Sequence, residues 1–187
     1  MEVLRQRYEL MVPAEVDVEV ARMKGNRGPQ ADFSNVSANW KKLTGNGHVA
    51  ILDSSMGTPG YEVLDREVRR LTGLAMEERK LNPRDLGEIM AVAHAVVLRR
   101  QGREAILLIE DGMGQQLAAD NSIKIIDTVQ VLRLAAYMGK IGNRAEMSKL
   151  YARMQPLDSA LLPVAQTGLL DKDHWRKIEA FKSRKQP

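Results

Sequence analysis

The sequence predicts an α/β protein: a mostly parallel sheet covered by helices. Two observations carry that prediction. In the second half, helix-like and strand-like stretches alternate: "NPRDLGEIMAVAHAVVLRRQG", "AILLIED", "MGQQLAAD", "IKIID" and "TVQVLRLAAYMGKIG". Such alternation favours parallel strands joined by helical crossovers. Three apolar runs also end in acid, "AILD" at Asp53, "LLIED" at Glu110 and Asp111, and "KIID" at Asp127. In open parallel sheets, ligands sit beyond the carboxyl ends of the strands.

In chain order, residues 1–8 read as the end of a helix, and "ELMVP" as a short strand stopped by Pro13, which cannot donate to a ladder. From Ala14 a helix places Val16, Val20 and Met23 on one stripe, up to the break at Gly25–Pro29. Residues 30–47 are polar and turn-rich. "HVAILD" is a strand, and residues 60–79 form one charged helix. The long helix that follows takes Asn82 as N-cap, Pro83 as first helical residue and Gly102 at its far end. "AILLIED" is uniformly apolar before its acids, as expected of a strand buried on both faces. "LYARMQPLDSALLPVAQTGLLD" reads as two short helices around a loop.

The 187 residues suffice for one domain with a sizeable core. Residues 1–170 are expected to form it, with an atypical segment at 30–80, and 171–187 to form a basic C-terminal helix or tail. Much of the net charge of +4 lies there, on Lys172, Arg176, Lys177, Lys182, Arg184 and Lys185. A basic balance permits contact with nucleic acid without demanding it. The absence of cysteine excludes a disulfide framework and thiolate metal sites. No apolar run approaches the roughly 18 residues of a membrane span, and "MEVLRQRYEL" lacks the apolar core of a signal peptide. The expectation is a soluble, cytoplasmic protein with no membrane partner.

Several carboxylates at one point repel each other and ionise together readily only around a cation. An all-oxygen set without cysteine suits a hard ion, Mg²⁺ or Mn²⁺, and metal-dependent phosphodiester hydrolysis is the natural chemistry of such a site. Asp85 and Glu88 share a face of the long helix. His48, His94 and His174 form no ligand set or triad. His94, amid "AVAHAVV", reads as a packed helix residue, and no phosphate loop or serine elbow is present.

Four segments, "LMVPAEVDVEVAR", "DLGEIMAVAHA", "LLIEDGMGQQLA" and "IIDTVQVLRLA", resemble in wording and order the PIN-domain family of Mg²⁺-dependent ribonucleases. The resemblance covers residues 8–24 and 82–141. It implies a three-layer α/β/α domain with a central, mostly parallel sheet. Residue by residue it makes Glu19, Glu88 and Asp111 the catalytic, metal-holding acids, with Glu110 and Asp127 as further metal-site candidates. It implies RNA as substrate and, by analogy with small toxin-type members, an antitoxin partner and a homodimer. One feature departs from the family. PIN domains open with a central strand ending in an aspartate, and here that strand is missing. Either the chain as given lacks it, or "HVAILDSS" takes the central place and Asp53 becomes the ligand. By its order in the chain "HVAILDSS" is instead an edge strand. Gln115 and Gln116 also stand where many relatives carry basic residues. The expected activity is Mg²⁺- or Mn²⁺-dependent endoribonuclease action. The alternative is a degenerate, non-catalytic PIN-fold protein that binds nucleic acid or a protein. A phosphate-accepting receiver domain, suggested by "ILDSSMGTPG", fails on the spacing of its other acids and its lysine.

Overall fold

The computed structural model describes residues 2–23, 35–157 and 160–183. The break at 25–29, the first part of the turn-rich segment, and Arg184 and Lys185 of the basic tail lie outside the described residues.

The elements follow in order. Helix α1 (Glu2–Arg5) leads to strand β1 (Met11–Pro13) and helix α2 (Ala14–Arg22). Helix α3 (Val36–Gly45) precedes β2 (Ala50–Leu52), and α4 (Tyr61–Thr72) and α5 (Met76–Lys80) precede α6 (Leu86–Arg100). Then come β3 (Ile106–Leu108), α7 (Gly112–Asp120), β4 (Lys124–Ile126), α8 (Thr128–Tyr137), α9 (Arg144–Met154), a 3-10 turn (Gln155–Leu157), α10 (Val164–Thr167) and α11 (Lys172–Ser183). The molecule is thus mixed α/β and mainly helical. No helix among the described residues is long and apolar enough to cross a membrane.

The strands pair in parallel, as the alternation predicts. Met11, Val12 and Pro13 face Ala50, Ile51 and Leu52. Ile106, Leu107 and Leu108 face Lys124, Ile125 and Ile126. The described strands form two separate two-stranded sheets, β1–β2 and β3–β4, rather than one. The expectation that β3 is buried on both faces fails: Ile106 and Leu107 are half-buried and Leu108 is half exposed.

Four local differences have identifiable causes. The segment 36–45, expected to be turn-rich, is helical. It is held by docking rather than by an apolar stripe: Trp40 Nε1 donates to Asp17 Oδ1 at 2.7 Å and Ser37 Oγ to the Ala21 carbonyl at 3.0 Å. The charged helix at 60–79 is two helices, because Gly73 turns left-handed at φ 77° and closes α4. Asn82 is not a cap. The guanidinium of buried Arg79 donates to the carbonyls of Asn82 and Arg84, which holds 82–85 as a turn, and α6 begins at Leu86 after Asp85 in a left-handed conformation. Finally, the "LYARM" segment belongs to α9, which starts at Arg144 with Asn143 Oδ1 accepting from Glu146 N at 2.9 Å.

The chain divides into two compact units. One contains the described residues of 9–126. Its core is α6, whose "IMAVAHAVV" is apolar nearly all round, as befits a helix covered on several sides. Met90 and Ala93 join Leu64, Val68 and Met76 of α4 and α5. Val92, Ala95 and Val96 join Ala118 and Ile123 at α7 and β4. Strands β1 and β3 both pack on this helix. The other contains the described residues 2–8, 127–157 and 160–183, whose regular elements are all helical. Its core gathers Val3, Leu132, Ala136, Met147, Tyr151, Leu169, Trp175 and Ile178.

Candidate functional site

Glu19 lies on α2 and Glu88 on the first turn of α6. The two helices meet at Gly87. A Cβ there would stand 3.0 Å from Val16 Cγ2 and 3.8 Å from Glu19 Oε2, so the Glu19 carboxylate sits beside the residue preceding Glu88. Gly114 of α7 likewise lies close to α6. A Cβ there would collide with Ile109 Cδ1 and stand 3.0 Å from Glu88 Cγ. Two glycines therefore let α2 and α7 close on the start of α6.

Asp111 stands three residues before Gly114 and is the N-cap of α7. Its Oδ1 accepts from Met113 N at 2.9 Å and Gly114 N at 3.0 Å, which satisfies two of the otherwise unpartnered amides of a helix start. Glu110 is half-buried, and its carbonyl accepts from Gln115 Nε2 at 3.4 Å. Asp127 falls in the all-helical unit, where it forms a capping box: Oδ1 accepts from Gln130 N at 2.7 Å and Gln130 Oε1 accepts from Asp127 N at 3.1 Å. Asp53 is exposed at the end of β2. It accepts from Ser55 N at 2.8 Å, and its hydrogen bonds with Ser55 hold its carboxyl below the usual range. A two-stranded sheet has no central place, so β2 is an edge strand here.

Among the described residues, no three His, Asp or Glu side chains stand close enough together to hold a metal ion. Mg²⁺ demands near-octahedral oxygen coordination. In such a shell water completes the set begun by one or two carboxylates, and Asp111 has one oxygen committed to capping.

A second polar group was not singled out from the sequence. Glu15, one turn before Glu19 on α2, accepts from Ser54 Oγ. Lys80 Nζ donates to the Ser54 carbonyl at 2.8 Å and to Glu77 Oε1 at 3.0 Å, and lies 3.9 Å from Glu15 Oε1. Ser54 is buried. Among the described residues, Glu15 Oε2 and His94 Nε2 are buried with no hydrogen-bond partner. Burial pushes the His94 pKa down, and the nearby Glu15 charge partly counters it. The only sequence signal for this group is that Glu15 and Glu19 are four apart and so share a helix face. Comparison with protein-family models, with curated proteins and with solved structures finds no match to this chain.

Proposed function

We propose that the chain is a PIN-like α/β protein that binds RNA and, in the arrangement described above, does not cut it. The observation that carries this reading is the donor set: among the described residues no three acids stand together, and Asp111, one of the expected ligands, caps a helix. The order of the four acid-bearing segments and the net charge of +4 support an RNA partner.

A second reading is favoured by Gly87 and Gly114, which bring acids from distant parts of the chain towards one another. It is a Mg²⁺- or Mn²⁺-dependent endoribonuclease with Glu19, Glu88 and Asp111 as its acids, acting as the toxin of a pair with an antitoxin. Incubation with RNA in Mg²⁺ or Mn²⁺, alongside calorimetric titration with Mn²⁺, separates the two. The binding reading expects no cleavage above that of Asp111→Asn and no micromolar Mn²⁺ binding. Metal-dependent cleavage abolished by Asp111→Asn, with micromolar Mn²⁺ binding lost in Glu88→Gln, would overturn it in favour of the enzyme.

A further inference from the structure

A group of cations in the 9–126 unit lies away from the acids, at the other end of α6. Glu88 and Arg99 are three turns apart on that helix, about 16 Å at 1.5 Å per residue. Two adjoining clefts of about 360 Å³ each open there. Arg70, Arg99, Arg100 and Asn121 line the first. Arg99, Arg103, Glu104 and Lys124 line the second. Arg99 belongs to both.

The charges in and around the clefts do not balance. Arg70 and Arg100 share the buried carboxylate of Glu67. Arg103 pairs with Glu9 at 2.7 Å, and Lys124 with Glu104 at 2.5 Å. Five cations thus meet three acids. Arg99 donates to the carbonyls of Asn121 and Ser122, at 3.1 and 2.6 Å. Those groups are neutral. Among the described residues no carboxylate lies within ion-pair reach of Arg99. The two carbonyls fix the guanidinium through one of its nitrogens. Its remaining N–H donors are left for a ligand, and a guanidinium matches phosphate geometry better than any other side chain. Ser122 adopts φ 55°, a conformation that costs a non-glycine residue energy, and the bond from Arg99 holds its carbonyl in place.

We propose that these two clefts form a binding site for two neighbouring phosphate groups bridged by Arg99, of the kind that an RNA backbone presents. The RNA source rests on the reading of the chain as an RNA binder. The phosphate site itself does not.

The test measures binding of a fluorescently labelled single-stranded RNA octamer by anisotropy, in EDTA and at several salt concentrations, and binding of inorganic pyrophosphate by calorimetry. The variants are Arg99→Gln with Arg103→Gln and, because Arg99 also holds the 121–122 turn, Arg103→Gln with Lys124→Gln, which leaves Arg99 and that turn in place. Lys177→Gln on α11 is the control, and circular dichroism checks the fold of each. The expected result is a roughly tenfold loss of RNA affinity in each double variant. The salt slope should fall by about 1.4, the value for two phosphate contacts to a single strand. The control should be unchanged. Pyrophosphate binding lost in the variants, without RNA binding in the parent protein, would keep the phosphate site and sink the RNA reading. RNA binding unmoved by both double variants, or no binding of either anion, would overturn the site.

Discussion

Gly112 and Gly114 lie two residues apart on α7 and should respond oppositely to a methyl group. Nothing stands within 4 Å of a Cβ at Gly112. Gly112→Ala there trims unfolded-state freedom in a helical residue and should stabilise by about 0.5–1 kcal/mol. At Gly114 the same methyl meets Ile109 and Glu88 together. Ile109 is buried and has little room to retreat, so Gly114→Ala should cost about 1–2 kcal/mol. Urea denaturation of the two variants checks both signs. Asp111 separates charge from capping. Asp111→Ala should lose about 1 kcal/mol, whereas Asp111→Asn, an equally good cap, should lose little. That is why the Asn variant is the proper probe of any cleavage. His94 gives a pH dependence. Its folded pKa lies below the ordinary 6.5 because it is buried, so between those two values the unfolded chain binds more protons than the folded one. The stability contributed by neutral His94 is therefore complete above pH 6.5 and declines as pH falls below it. Melting temperature should drop between pH 7.5 and 5.5, and His94→Leu should flatten that drop. A residual slope is expected from His174, whose pKa is lowered in the same direction, chiefly by burial.

At the scale of elements, α4 and α6 are joined by one buried acid. Glu67 is 1% exposed and bonded to both Arg70 and Arg100, which are themselves about half exposed. The pairing is asymmetric. Removing both arginines strands a buried carboxylate, a loss of about 3 kcal/mol or more. Glu67→Gln leaves two solvated cations and an amide that can still accept, and should cost about 1 kcal/mol. Guanidinium denaturation of the two variants decides the order. The strands offer another reading. Alternation in a parallel ladder turns every second amide away from the partner strand. In β1 and β3, which each have one neighbour, the amides of Met11, Ile106 and Leu108 fall on the open side. Hydrogen exchange should be faster there than at Val12 and Leu107. These short strands show what the sequence made legible. Apolar runs ended by acid, or by Pro13 at β1, located all four described strands, because burial and chain reversal leave a compositional mark. Their failure to join one sheet was not legible, because pairing across the molecule is fixed by packing on α6 rather than by any local pattern. Helix α3 stayed hidden for the same kind of reason, since Trp40 and Asp17 lie 23 residues apart.

At the scale of the whole molecule, the αβαβα order was visible, but the division at residue 127 was not. The last strand and the helix after it sit in different units although no glycine or proline separates Ile126 from Thr128. The acids were legible only as candidates. The resemblance of the segments around them picked out Glu19, Glu88 and Asp111, while nothing local revealed that Asp111 and Asp127 serve as caps. The basic clefts were invisible for a different reason. Arg70, Arg99, Arg103 and Lys124 are spread over 55 positions, on α4, α6, the loop after α6 and β4, and come together only in the folded chain. The two-unit division also meets the aromatic composition in a useful way. The chain has two tryptophans: Trp40 is half-buried in the 9–126 unit, and Trp175 is 4% exposed in the other, its Nε1 bonded to the Leu169 carbonyl at 2.8 Å. Each unit therefore carries its own fluorophore. Trp40→Phe leaves an emission that reports the all-helical unit, and Trp175→Phe one that reports its companion. Melting the two single-tryptophan proteins side by side would show whether the units come apart in one transition or in two.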